Sequence, residues 1–270
     1  MNQVIVLFLF ILFTISIYTY WITYKSFYPT CLDKIDIIYW INLNRSVARR
    51  NKMEAIFKDN VFNNKNIIRI KAIDGRDDKD ISILNDKFVN KINDDNLTYA
   101  CLMSHLTAIE EFSKTNHEYA LIMEDDLSLE YKPYWNKRIS HIIDNAPIDW
   151  EIIMLEMLLF KPAISYFYFH DYVEAQSNSD EKKNIYCTGA YLINRKGAIK
   201  MMKTKQNDKY VLATDITHCA DRYIFKVLKT YAYKYPYFTY PSDNDSTLHP
   251  TDVNTHQECK QIINEYIYNI

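Results

Sequence analysis

Tyr119-Ala120-Leu121-Ile122-Met123-Glu124-Asp125-Asp126 carries an apolar run straight into three consecutive carboxylates. The run is short, without polar interruption, and reads as a buried strand. Adjacent carboxylates repel one another, so a fold does not bury them without counter-charge. In open α/β sheets the ligand crevice lies outside the carboxyl ends of the strands. A hard divalent cation takes oxygen ligands there and often bridges to substrate phosphates. In extended geometry Glu124 and Asp126 project to one side and Asp125 to the other. Asp126 is therefore the first candidate metal ligand, with Glu124 beside it. A solvated acidic turn is the plain alternative, and the buried strand in front of it favours the cation site.

Outward from this run the chain alternates strand and helix signals. Ile35–Leu43 is an apolar, β-branched run that ends in Asn42, Asn44 and Arg45. Ser46–Phe57 reads as a helix with Ser46 as its N-cap. Ile67–Ile73 reads as a strand stopped by the turn pair Asp74-Gly75. Residues 76–97 are polar and read as a surface excursion, and Thr98–Lys114 has helical apolar spacing. Residues 131–145 look helical, Trp150–Leu155 extended, and 160–184 have no clear period. Ile185–Asn194 reads as one strand and Arg195–Lys203 as a helix. Asp215–Lys229 reads as helical, Tyr231–Tyr240 as extended, and the tail as polar. This alternation predicts a single α/β domain over residues 35–270, with a largely parallel sheet.

The amino terminus is different. Residues 4–24, VIVLFLFILFTISIYTYWITY, contain no charge and are long enough to cross a bilayer. Tyr18, Tyr20, Trp21 and Tyr24 gather at its end like an interfacial aromatic belt. A cleaved signal peptide would have a basic start and a small-residue cleavage site, and neither is present. The expectation is a single-pass anchor over 4–24, followed by a linker over 25–34. Lys25 and Lys34 follow the segment, a charge bias too small to set which side of the membrane holds the body.

Composition excludes several classes. The 270 residues carry a net charge of −2, without the basic excess of a nucleic-acid binder. The 3 glycines, Gly75, Gly189 and Gly197, cannot spell a P-loop or a dinucleotide fingerprint. Any phosphate must then be held by a metal, by Arg or Lys, or by ordinary helix N-termini. The 5 cysteines include no CxxC pair, which argues against a zinc ribbon or a thioredoxin motif. Cys101 and His105 stand at i, i+4 spacing, but no third group completes a nucleophilic arrangement. His249, in the polar tail, is a candidate late metal ligand.

Five blocks in order resemble glycosyltransferase family 25, the group of lipooligosaccharide and procollagen galactosyltransferases. They are Ile41-Asn42-Leu43-Asn44-Arg45 with Arg49, Arg50 and Met53; Ala72-Ile73-Asp74-Gly75; Cys101-Leu102-Met103-Ser104-His105; Leu121–Asp126; and Thr188–Ile193 through Gly197-Ala198. Together they cover about residues 36–200. The resemblance implies a GT-A-like fold, a UDP-hexose donor and a divalent metal, Mn2+ or else Mg2+. It places Glu124, Asp125 and Asp126 at the acidic metal motif. Asn42, Arg45 and Asp74 fall at the nucleotide, Ser104 and His105 at the donor site, and Gly189 near the sugar and acceptor. Asp215 and Asp221 fall where the family carries a further acidic residue, and they are the candidate bases, with His105 as a further catalytic candidate. The implied reaction is hexose transfer to a hydroxyl of a glycan, lipid-linked glycan or protein, with inversion. Ala100 stands where the family often has Gly, and the last third matches poorly. A membrane-anchored, metal-dependent phosphoester hydrolase and a catalytically silent glycan-binding module are the competing readings.

Overall fold

The computed structural model describes residues 3–27, 30–89, 91, 95–175, 185–212, 219–241 and 253–270. Helix α1 (Gln3–Phe27) comes first, four residues longer than the expected anchor. Among the described residues it is the one helix long and apolar enough to cross a membrane. Its window Ile5–Ile22 has a mean hydropathy of 2.3 and is not buried against the rest of the chain.

Strand β1 (Ile37–Asn42) is buried along its whole length because its side chains feed two layers. Ile37, Tyr39 and Ile41 join one core cluster, while Ile38 and Trp40 join the other. Helix α2 (Val47–Ile56) and strand β2 (Asn66–Lys71) follow. Helix α3 (Asp78–Asn85), strand β3 (Phe88–Val89), helix α4 (Asn96–Ser113) and strand β4 (Tyr119–Met123) complete the first half. Strand β4 splits its side chains as β1 does, with Ala120 and Ile122 on one side and Leu121 and Met123 on the other.

The second half has shorter elements. Helix α5 (Ile139–Asp144), strand β5 (Ile152–Met154), strand β6 (Leu158–Leu159), helix α6 (Ile164–Phe167) and strand β7 (Tyr172–Glu174) come first. Then come strand β8 (Ile185–Tyr186), strand β9 (Ala190–Asn194), helix α7 (Arg195–Met202) and strands β10 (Lys205–Gln206) and β11 (Lys209–Val211). Helix α8 (Ala220–Val227), strand β12 (Thr230–Tyr233) and helix α9 (Val253–Ile263) close the chain.

The main sheet has the order β2-β1-β4-β9-β5-β12-β7. Pairs β1/β2, β1/β4 and β5/β12 are parallel, so β2, β1, β4, β5 and β12 run one way. Strand β9 runs the other way between β4 and β5, and β7 is likewise reversed against β12. The sheet is mixed α/β and mostly parallel, with a reversed strand at its centre. Strands β10, β11 and β3 form a small second sheet, and β6 pairs with β8.

Four local expectations are corrected. Ser46 occupies the N-cap position of α2 but its side chain makes no cap bond. Residues 76–97 contain α3, whose first amides Lys79 N and Asp80 N donate to the Asp77 carboxylate. The polar tail contains α9, which buries Cys259, Ile262 and Ile263. That i, i+3, i+4 stripe is diluted by polar neighbours and is therefore faint in the sequence. Finally, Ile185–Asn194 is not one strand. It breaks at residues 187–189, where Cys187 takes a φ of 113°.

The expected linker also differs at its end. Cys31, Leu32 and Ile35 are fully buried. The Asp33 carboxylate accepts from Ser140 N at 2.8 Å and from Ser140 Oγ at 2.6 Å, which ties the segment to α5. Burial pushes the Cys31 thiol up to about 12. A chain beginning at Thr30 is expected to fold as the full chain does. One beginning at Asp36 loses those buried side chains and the Asp33 contacts, about 4 kcal/mol in all. Its melting temperature, followed by calorimetry, should fall by about 10 °C. Equal melting of the two truncated chains would show that residues 30–35 carry no load.

Candidate functional site

The site lies where β1 and β4 end. Asp125, 8% exposed, is the buried carboxylate of the acidic run. Asn42, the last residue of β1, donates from Nδ2 to Asp125 Oδ2 and to Ser46 O. Arg49, on α2, donates from Nη1 to Asp125 Oδ1 at 3.0 Å and to Asp126 Oδ2 at 3.4 Å. Burial raises the Asp125 carboxyl, and Asn42 and Arg49 offset only part of that. The Oδ1 of Asn42 is itself held, accepting from Arg50 Nε at 3.1 Å and Arg69 Nε at 2.9 Å. Four arginines, Arg45, Arg49, Arg50 and Arg69, thus gather around the exit of β1.

Glu124 and Asp126 flank Asp125 just past the end of β4, where the chain turns, and stay partly open at 28% and 21% side-chain exposure. The expected alternation does not hold there, because the Arg49 nitrogen that meets Asp125 also reaches Asp126. Glu124 Oε1 accepts from Thr188 Oγ1 at 3.0 Å and faces His105 Nε2 at 3.1 Å. His105 Nδ1 lies 3.2 Å from the Tyr191 hydroxyl. The His105 ring thus bridges the Glu124 carboxylate and the Tyr191 hydroxyl. Burial pushes the Glu124 carboxyl up, but His105, Thr188 and Arg49 outweigh it, so Glu124 is held below the usual range. Asp126 is raised to about 7 by burial and by the Glu124 charge, with Arg49 opposing. One carboxylate is thus stabilised as an anion, and its neighbour carries the uncompensated repulsion.

Other predicted residues fall around this centre. Ser104 Oγ accepts from Ile73 N at 2.9 Å and donates to Ala100 O at 2.7 Å, fastening α4 to the end of β2. Arg45 donates from Nε to Asp74 Oδ2 at 2.6 Å on the cleft rim. Arg49, not Arg45, is the arginine that reaches the acidic run. Gly75 lies against α4, where a Cβ would meet Asn96 O at 2.5 Å. Ile41, Leu43, Ala72, Leu97 and Ala100 give the cleft an apolar wall beside Asn42, Arg49 and Glu124. Cys101 and His105 form no pair. The ring nitrogens of His105 face Tyr191 and Glu124, and burial keeps the Cys101 thiol protonated.

Asp221, in the first turn of α8, faces the same centre. Its carboxylate accepts from Arg222 N at 2.7 Å and Cys187 N at 3.4 Å. Burial raises it against those two amides, and the Glu124 charge adds to the rise. Asp215 and His249 lie outside the described residues.

The turn at 187–189 supplies the rest. Gly189 O accepts from Glu124 N at 2.7 Å, and Gly189 N donates to Cys187 Sγ at 3.2 Å. A φ of 113° at Cys187 is a conformation that costs a side-chain-bearing residue about 1–3 kcal/mol. Glu156, just past β5, was not among the expected residues. It is 4% exposed, and burial together with the charges of Asp126 and Glu124 raises its carboxyl far above the usual range. Its sequence signal is the same as that of the acidic run, an acid at the end of the apolar stretch Ile152–Leu155.

Residues 35–217 match the family described as glycosyltransferase family 25 (LPS biosynthesis protein). The chain belongs to glycosyltransferase family 25. A Glycosyltransferase 25 family member of Aedes aegypti is 30% identical over 220 residues, covering 69% of this chain and 32% of that protein. The chain therefore spans about a third of that relative's length. The structure of mouse xyloside xylosyltransferase 1, apo form, aligns over 74% of each chain at 10% identity and a TM-score of 0.31. The matched family span includes the acidic run, the arginines, His105 and the 187–189 turn.

A divalent cation suits the donor set in part. Glu124 and Asp126 offer hard oxygens, and their mutual repulsion favours a counter-charge. Among the described residues, no three His, Cys, Asp or Glu side chains converge to enclose an ion. A cation here would take one or two carboxylate ligands and share its remaining positions with substrate phosphate and water.

Asn42 joins β1, α2 and β4 through one buried amide. Asn42→Ala should cost about 2–3 kcal/mol, since it leaves Asp125 and two guanidinium groups short of partners. The check is the urea midpoint, which should drop with an unchanged slope. An unshifted midpoint would show that solvent replaces the amide.

Proposed function

We propose that the chain is a metal-dependent glycosyltransferase that moves a hexose from a UDP-sugar to a hydroxyl acceptor, on a GT-A-like scaffold held to a membrane by α1. One observation carries this reading. At the carboxyl ends of β1 and β4, partly open carboxylates stand beside a set of arginines and against an apolar wall. A diphosphate needs cations on one side and, in a chain with 3 glycines, cannot rely on a glycine-rich cradle. The apolar wall between β1 and α4 is suited to a nucleoside.

In this reading Asp126 holds the cation, because Glu124 already serves His105 and Thr188 through Oε1. When bound, a divalent ion supplies neutralisation of the charge that develops on the diphosphate leaving group. Arg49 keeps Asp125 and Asp126 in place and lends positive charge to the same region. Galactose or glucose is the sugar the family resemblance favours. Acceptor activation requires a base near the hydroxyl. Asp221 stands toward the Glu124 side of the cleft, and its raised affinity for a proton suits that role. Inversion is the stereochemical outcome expected of a single displacement with such a base.

The test is UDP release from a panel of UDP-hexoses, with and without acceptor, in manganese and in EDTA. Stimulation by both manganese and an acceptor is expected. Metal-dependent hydrolysis of simple phosphoesters would favour the hydrolase, and binding without turnover the silent module. Asp126→Asn should lower turnover by about two orders of magnitude or more, the scale of a lost transition-state charge contact. Near-normal turnover at saturating manganese would remove Asp126 from the centre. Arg49→Lys should raise the donor KM by about tenfold, because a lysine offers a point charge in place of the planar guanidinium that faces the diphosphate in this reading. Arg45→Lys, on the rim, should change it less, and the reverse order would move the donor to the rim.

A further inference from the structure

Glu156 is a buried carboxyl that the proposed transfer does not use. It is 4% exposed, and its Oε2 has no hydrogen-bond partner. Orphaned side-chain oxygens at this depth are rare in native proteins and demand a reason. Its carboxyl interacts with the Cys187 side chain and packs on Gly189. A Cβ on Gly189 would lie 1.6 Å from Glu156 Oε2, 2.6 Å from Cδ and 3.1 Å from Oε1. The carboxyl therefore fills the space that any side chain at position 189 would need.

Topology brings the two together. Strands β5 and β9 are antiparallel neighbours with Met154 opposite Tyr191. Continuing that register two residues places Glu156 opposite Gly189. Glu156 N donates to Ala190 O at 3.1 Å, which anchors the backbone of the wedge. What lies beyond Gly189 has no strand ladder to hold it. Cys187 sits at a φ of 113°, with its N–H toward Asp221 Oδ2 at 3.4 Å. Thr188 Oγ1 donates to Glu124 Oε1 at 3.0 Å. A backbone conformation that cysteine avoids persists only where its surroundings impose it.

We propose that Glu156 is a positioning residue whose carboxyl, seated on Gly189, locks the Cys187-Thr188-Gly189 turn. The lock keeps the Thr188 hydroxyl on Glu124 and the Cys187 N–H on Asp221. It thereby fixes the span between the acidic run and the candidate base. Only the kinetic part of this inference rests on the transferase reading, and the packing part does not.

The experiment is a double-mutant cycle in the full chain in detergent micelles. Gly189→Ala alone should lower the melting temperature by about 8 °C or more, because its methyl group collides with the Glu156 carboxyl. In the Glu156→Ala background the same change should cost about 3 °C or less, since the space is then open. Additive shifts would overturn the lock. In the UDP-release assay, Glu156→Ala should lower kcat at least about tenfold while the donor KM moves less than about twofold. Glu156→Gln, which has the same shape, should recover most of that loss. A glutamine as damaging as the alanine would mean that the charge is used directly, as by a cation, and would overturn the positioning role. So would a donor KM that rises with kcat unchanged. If the wild-type chain releases no UDP from any sugar, the transferase reading fails. The melting cycle alone then decides the lock.

Discussion

Asp125 is the carboxylate on which the site is hung. A charge that far from solvent is costly unless it is paired and hydrogen-bonded. Its partners come from two other elements, Asn42 at the end of β1 and Arg49 on α2. Satisfying one buried carboxylate therefore fixes the relative placement of a strand, a helix and the exit of β4. Glu124 and Asp126, on either side of it past the end of β4, stay partly open. The carboxylate that ties the fold together and those left open are consecutive residues where the chain turns.

The parts of the fold legible in the sequence were those whose burial is nearly symmetric. Strands β1 and β4 serve a core on each face, so their apolar runs are unbroken and bounded by polar turns. Asn42, Ser104, His105 and Glu124 could be found because they sit next to such runs or in the blocks shared with family 25. What escaped depended on partners distant in sequence. Arg49 reaches the acidic run because α2 turns it inward, which spacing alone does not say. Glu156 becomes notable only once β9 lays Gly189 across it. The break between β8 and β9 follows from the backbone of one cysteine, and nothing in Ile185–Asn194 marks it. Helix α9 was hidden by polar residues that face water.

The reversed strand β9 has a specific effect on the chemistry. In a sheet of parallel strands, the crevice is lined by loops that leave the carboxyl ends. Inserting one antiparallel strand at the centre delivers a segment that enters instead. Thr188 and Gly189 arrive at the cleft just before β9 begins, between the exits of β4 and β5. Glu124 N and Gly189 O join the two directions of chain travel at 2.7 Å. An incoming segment adds functional groups without lengthening the loops already there.

The segment at residues 30–36 meets the body at the amino-terminal end of β1, stitched to α5 through Asp33. The cleft opens at the other end, past Asn42. Six residues of strand separate them, a rise of about 20 Å. Strand β1 thus holds the entering segment at one end and the cleft at its other end, and its length keeps the two apart.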